Sequence, residues 1–158
     1  GGNRMAALGC EEIANYCNWA IFESNAEPDS SVKRVVAICC GTATTMAGVV
    51  NGFTQGGIAA GSIPFTQGFS VLRAEGYLRD ELRAKLNHGA AGSNWDIDER
   101  FDFGGYGKRP RRLRGFVRRF NSATGIPIEP VYTGKMFYGL QDIDPTNRVH
   151  VERPQTEV

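Results

Sequence analysis

The stretch Val35-Val36-Ala37-Ile38-Cys39-Cys40, followed without a break by Gly41-Thr42-Ala43-Thr44-Thr45, decides the fold. Six consecutive apolar residues predict a strand covered on both faces, because a strand with one wet face alternates polar and apolar positions instead. The small residues after it predict a tight loop, and a helix begins near Thr45. On the N-terminal side, apolar residues recur at Met5, Leu8, Ile13, Cys17 and Ile21, close to a helical period, which predicts one helix from Met5 to Ile21. On the other side, residues 54–68 are rich in Gly and Gln and read as a loop, with a strand from Phe69 to Arg73. Leu78, Leu82 and Leu86 mark one face of a helix that ends near Asn87-His88-Gly89. Trp95, Ile97 and Phe101 alternate with acidic residues, as a half-exposed extended segment would. Pro110 suits a first helical turn, Leu113, Phe116, Val117 and Phe120 form the apolar stripe, and Gly125 suits the position just past the end. Helix alternating with strand predicts an α/β domain, a mostly parallel sheet flanked by helices.

The same junction carries chemistry. A buried strand that runs into Gly41, Thr42, Ala43, Thr44 and Thr45 and then into a helix offers unpaired backbone N–H groups, hydroxyl donors and the positive end of a helix dipole. A phosphate dianion needs these donors where no arginine reaches it. Small residues at such turns also serve close packing, so the junction alone leaves both readings open. It lacks the lysine of a nucleotide P-loop and the glycine spacing of a dinucleotide fold, which disfavours ATP and NAD.

A second informative stretch is Glu129-Pro130-Val131-Tyr132-Thr133-Gly134-Lys135-Met136-Phe137-Tyr138-Gly139-Leu140. Pro130 stiffens the approach, and Thr133 can cap a helix carrying Met136, Phe137 and Leu140 on one side. A phenol and a hydroxyl, Tyr132 and Thr133, then stand side by side at a helix N-terminus.

Composition excludes more than it selects. A chain of 158 residues makes one domain, and 41% hydrophobic with 22% charged residues is ordinary for a globular protein. A net charge of +1 implies no general attraction to nucleic acid or membrane. No apolar run approaches a bilayer span and no signal peptide opens the chain. Cys10, Cys17, Cys39 and Cys40 lack Cys-x-x-Cys spacing, so no zinc site is expected, and Cys39 and Cys40 read as reduced core residues of a cytoplasmic protein. Asp96, Asp98, Glu99 and Asp102 read as a solvated acidic edge rather than as metal ligands.

Four stretches in register resemble one family, the pyridoxal-phosphate-dependent 1-aminocyclopropane-1-carboxylate deaminases and D-cysteine desulfhydrases. They are Gly1-Gly2-Asn3 with Ala7-Leu8-Gly9, Cys40-Gly41-Thr42-Ala43-Thr44-Thr45-Met46-Ala47-Gly48, Phe103-Gly104-Gly105-Tyr106-Gly107-Lys108, and Pro130-Val131-Tyr132-Thr133-Gly134-Lys135. The resemblance implies the C-terminal half of the cofactor-binding α/β domain of a fold type II (tryptophan-synthase-β-like) enzyme over residues 1–143, with a divergent polar tail at 144–158. It implies that Gly41, Thr42, Ala43, Thr44 and Thr45 hold the phosphate of pyridoxal 5'-phosphate, where family members often carry a second glycine in place of Ala43 or Thr44. It implies that Tyr132 and Tyr106 act on the substrate and that Thr133 faces the ring nitrogen.

A glutamate at that last position would hold the nitrogen protonated and make a stronger electron sink, whereas a neutral hydroxyl does not. Thr133 therefore tilts the reading toward a desulfhydrase-like β-elimination, with 1-aminocyclopropane-1-carboxylate deamination beside it. Either releases ammonia and a 2-oxo acid from a small amino acid, and the resemblance implies a homodimer. The family's Schiff-base lysine lies in an earlier Gly-Asn-Lys motif, and none of Lys33, Lys85, Lys108 and Lys135 stands in one. The chain is accordingly expected to be inactive by itself.

A rival reading starts at the basic run. Lys108, Arg109, Arg111, Arg112, Arg114, Arg118 and Arg119 crowd twelve positions, residues 108–119, without an acidic residue. On a helix they could bind nucleic acid or an anionic surface. No aromatic residues interleave on that face, and the near-neutral overall charge argues against a dedicated nucleic-acid binder.

Overall fold

The computed structural model describes residues 2–23, 34–56, 63–88, 90 and 94–143. The polar tail at 144–158 lies outside them. The elements run α1 (Arg4–Gly9), α2 (Glu12–Glu23), β1 (Val35–Cys40), α3 (Thr44–Gln55), β2 (Phe65–Ser70), α4 (Tyr77–Lys85), β3 (Trp95–Asp98), α5 (Arg111–Thr124) and α6 (Thr133–Ile143). The three strands form one parallel sheet in the order β1-β2-β3. Val35 pairs with Phe65 and Cys40 with Ser70, while Thr66 pairs with Trp95 and Phe69 with Asp98. The expected α/β class with a parallel sheet and flanking helices is what the chain adopts.

Successive residues at the end of β1 show how both sheet faces are covered. Cys39 Sγ lies 3.6 Å from Met136 Sδ of α6, and Cys40 Sγ lies 3.6 Å from Met46 Sδ of α3. Strand side chains alternate in direction, so α6 covers one face and α3 the other. Between α3, α4 and the sheet lies a core of Cys40, Met46, Ala47, Val50, Leu78, Leu82 and Ile97. A second core, Leu113, Phe116, Val117 and Ile128 with Phe120, Phe137 and Tyr138 against it, joins α5 to α6. Pro110 precedes the first residue of α5, and Gly125 ends it in the left-handed conformation at φ 72°, donating its N–H to Asn121 O, as its sequence predicts.

Three boundaries differ from the sequence reading. The expected helix from Met5 to Ile21 is two helices, because the Cys10 N–H turns back to the Ala7 carbonyl and the Glu11 N–H to the Leu8 carbonyl, and a second helix starts at Glu12. Strand β2 begins at Phe65, inside the expected Gly- and Gln-rich loop, and ends at Ser70. Its sequence lacks apolar alternation because Gly68 sits where no side chain fits: a Cβ there would come within 2.7 Å of Met46 Sδ and 2.9 Å of Cys40 Sγ. Gln67 beside it donates to the carbonyls of Gly68 and Asp96. Strand β3 stops at Asp98, before Phe101.

Candidate functional site

Strand β1 delivers the chain to Gly41, and three residues later α3 begins at Thr44. The residue before the helix, Ala43, takes the left-handed conformation (φ 54°, ψ 6°) and caps nothing with its side chain. That conformation costs a residue with a Cβ about 1–2 kcal/mol. It is one of the two positions, Ala43 or Thr44, where the resemblance implies a second glycine. The first-turn N–H groups of α3 have no intrahelical acceptor, and no side chain of the preceding residue satisfies them. The hydroxyls of Thr42 and Thr44 lie 3.1 Å apart, while Thr42 and Thr45 are exposed.

A hollow of about 190 Å³ opens over this turn, lined by Cys39, Gly41, Thr42, Ala43, Thr44, Thr45, Met46 and Tyr132. All five residues expected to hold a phosphate therefore share one hollow with the phenol expected to act on substrate. The Tyr132 ring lies across Gly41, where an added Cβ would meet its Cε1 and hydroxyl at 3.6 Å. Tyr106 joins from a different segment: the Tyr132 hydroxyl donates to the Tyr106 hydroxyl at 3.4 Å, with the rings edge-on, 5.8 Å between centroids and 74° between planes. That bond, with some burial behind it, pushes the Tyr132 phenol above its ordinary value, because ionisation would remove the donated proton. Tyr132 thus stands as a neutral proton donor. Burial, with the Glu129 charge adding to it, pushes the Cys39 thiol up to about 11, so it lines the hollow as a thiol.

Thr133 is not the cap that its sequence position predicts. The carboxylate of Glu129 caps α6 instead: Oε1 accepts from Tyr132 N (2.7 Å) and Thr133 N (2.8 Å), and Oε2 accepts from Val131 N (2.6 Å). The Thr133 hydroxyl accepts from Glu129 N at 2.9 Å. Burial raises the Glu129 carboxyl, but the three backbone donors outweigh it and hold it below its usual range. Neither Thr133 nor Tyr106 lines the hollow directly. Glu129 could have been found as an acid placed just before a predicted helix start.

Two larger hollows lie elsewhere, so size alone does not choose the site. One, of about 780 Å³, is lined by Gln67, Arg79, Asp96, Asp98, Glu99, Arg100 and Asp142 among others. Its charges are satisfied within it: Arg79 pairs with Asp96 and Glu99, and Arg100 with Asp98 and Asp142. The other, of about 590 Å³, is lined by Arg111, Arg114, Val117, Arg118 and Pro130.

The chain is 28% identical over 143 residues to a mitochondrial bifunctional D-cysteine desulfhydrase/1-aminocyclopropane-1-carboxylate deaminase of Arabidopsis thaliana, covering 89% of this chain and 34% of that protein. Over 43 residues, 27% of this chain and 13% of the relative, it is 44% identical to a putative 1-aminocyclopropane-1-carboxylate deaminase of Pyrococcus horikoshii. The chain is homologous to 1-aminocyclopropane-1-carboxylate deaminases and D-cysteine desulfhydrases. A crystal structure of an ACC deaminase homologue superposes with a TM-score of 0.63 at 21% identity, over 90% of this chain and 42% of that one, and shows the shared fold. No family model matches. The chain spans about a third of the length of the Arabidopsis relative.

Proposed function

We propose that this chain supplies the phosphate cradle and two acting phenols to a pyridoxal-phosphate enzyme that removes ammonia from a small amino acid. The observation that carries the reading is the single hollow formed by residues 41–45 under the Tyr132 ring. The donor set fits a phosphate: backbone N–H groups at a helix start, threonine hydroxyls and no acidic side chain among the lining residues. Gly41, Thr42, Ala43, Thr44 and Thr45 would hold the phosphate, and Thr133 would face the ring nitrogen. Bound pyridoxal phosphate supplies an electron sink beside the α-carbon of an amino acid.

The chain's own residues do the rest. Tyr132, protonated and in line with Tyr106, holds a proton at its hydroxyl for delivery to or exchange with the substrate. Tyr106, 63% exposed, presents the second phenol to whatever enters above the hollow. Thr133 is neutral, which favours loss of a good β-substituent, as in a D-cysteine desulfhydrase, over opening of a cyclopropane ring. The Arabidopsis relative carries both activities in its name.

None of the described lysines is among the residues that line the hollow. Lys85 is buried against Glu81 and Lys135 is held by backbone carbonyls. Binding without turnover is therefore the expectation for this chain by itself. A homodimer and a cytosolic home belong to the same proposal, the latter supported by four free cysteines. No helix among the described residues is long and apolar enough to cross a membrane.

A second reading is favoured by the hollow along α5, where Arg111, Arg114 and Arg118 meet no carboxylate among the described residues. It would take nucleic acid or another anionic surface. Salt-dependent retention on heparin or RNA, without any affinity for pyridoxal phosphate, decides for that reading. An absorbance titration with pyridoxal phosphate, competed by inorganic phosphate, decides for the first.

A further inference from the structure

We infer that Lys135 is a positioning residue whose ammonium, gripping the carbonyls of Val71, Asp102 and Gly105, fixes the turn that carries Tyr106 against Tyr132. The catalytic meaning of this clamp rests on the function proposed above, but its geometry does not. Lys135 is 0% exposed, and Nζ donates to Val71 O at 2.7 Å, Asp102 O at 2.8 Å and Gly105 O at 2.9 Å. An ammonium has three protons and no acceptor, so all of its donors are used. The acceptors are neutral, and no carboxylate among the described residues lies within ion-pair distance of Nζ. Removing the charge from water lowers the Lys135 pKa, and only the more distant Asp102 and Glu129 charges pull the other way.

A buried charge without a counter-ion costs several kcal/mol. A methionine would pack the same space without that penalty, so the ammonium must accomplish something packing cannot. What it does is join separate segments. The three carbonyls lie 64, 33 and 30 residues away in the chain. Two of them, Asp102 O and Gly105 O, also close the turn itself, accepting from Gly105 N and Lys108 N at 3.1 Å each. Phe103, Gly104, Gly105 and Gly107 all have positive φ. A turn so rich in glycine does not prefer this shape over others without an outside hold. Tyr106 follows Gly105 directly and is 63% exposed, so the backbone of the turn rather than core packing sets its position. Tyr132 sits three residues before Lys135, and the Lys135 N–H donates to its carbonyl at 3.1 Å. One residue therefore holds both phenols, the first through its backbone and the second through Nζ.

The test follows each phenol by the Cζ resonance of ¹³C-labelled tyrosine through an alkaline pH titration of the whole chain. The groups acting on Tyr132 are Tyr106, Glu129 and Cys39. Tyr106→Phe sets the benchmark, since it removes the acceptor of the Tyr132 proton. Lys135→Met is expected to keep the helical circular dichroism and bring the Tyr132 titration down to the Tyr106→Phe position. A Tyr132 titration unmoved in Lys135→Met, while Tyr106→Phe moves it, overturns the inference. The unmutated chain gives a second measurement that needs no variant to fold. Under trace acetylation, Lys135 should label at least about tenfold more slowly than exposed Lys108, as a locked amine must. Equal labelling rates overturn the clamp. Neither readout involves pyridoxal phosphate, so failure of the clamp and failure of the proposed function are separately visible.

Discussion

Glu129 illustrates how one side chain can organise a site it does not enter. Its carboxylate takes the N–H groups of Val131, Tyr132 and Thr133, which a helix start would otherwise leave to water. Replacing it with alanine should cost about 1–2 kcal/mol, the usual loss for a helix cap, measured by urea denaturation. The pH dependence has a definite sign. The folded carboxyl lies below its unfolded value, so its contribution is present above the ordinary carboxylate range and disappears as pH falls through the lowered folded value. Glu129→Gln should therefore flatten the acid limb of a stability–pH curve. Ala43 makes a different residue-scale prediction. Ala43→Gly would relieve about 1–2 kcal/mol of left-handed strain. It would lose about 0.5–1 kcal/mol to backbone entropy and about 0.8 kcal/mol from one buried methyl. Stability should stay within about 1 kcal/mol of the parent in the same urea assay. Neither role was read from the sequence: Thr133 is the evident cap, although an acid just before a helix start is a signal for Glu129, and an alanine by itself gives no sign of positive φ.

At the scale of elements, what could be read was what packing dictates. Strand β1 announced itself because both of its faces are covered, by α6 beyond Cys39 and by α3 beyond Cys40. Helix α5 was legible from Pro110 to Gly125 because its buried side is a clean stripe. Strand β2 was not, because its packing replaces side chains with a glycine: Gly68 gives its space to Met46, Cys40 and Ile97. Gly68→Ala should destabilise the chain by about 1–3 kcal/mol, the usual range for overpacking, measured by thermal denaturation. Within α5 the two faces should separate sharply. Leu113→Ala, at a position 0% exposed, should cost about 2–5 kcal/mol, whereas Arg114→Ala should stay within about 0.5 kcal/mol. The acidic edge read from Asp96, Asp98, Glu99 and Asp102 proved to be more than solvated. Asp96 and Glu99 pair with Arg79 of α4, Asp98 pairs with Arg100, and both Glu99 oxygens accept from Gly76 N.

At the scale of the molecule, three segments far apart in sequence come together: the end of β1 and the residue before α6 line one hollow, and the turn at 102–107 reaches it through the contact of Tyr106 with Tyr132. All three were legible as motifs, and the convergence of the first and last follows from α6 crossing the sheet face that Cys39 points into. Lys135, which ties the third segment in, could not be valued from sequence, since a lysine beside a glycine reads as surface. The cysteines add a whole-molecule prediction. Burial pushes Cys39 up to about 11 and Cys40 up to about 12, so the stability from keeping them as thiols is intact below the ordinary thiol range and is lost as pH rises through these values. Alkylation at pH 8 should accordingly spare Cys40 until the fold opens, as peptide mapping would show. The central claim, that the turn after β1 is a phosphate cradle, is tested most directly by comparing pyridoxal phosphate with pyridoxal in an absorbance titration of this chain. Each charge-assisted hydrogen bond to a phosphate is worth about 1.5–3 kcal/mol, so losing even one weakens binding by roughly tenfold or more. Pyridoxal phosphate is expected to bind at least about tenfold more tightly than pyridoxal, with inorganic phosphate competing for the same site. Equal affinity for the two, or no effect of phosphate, would contradict it.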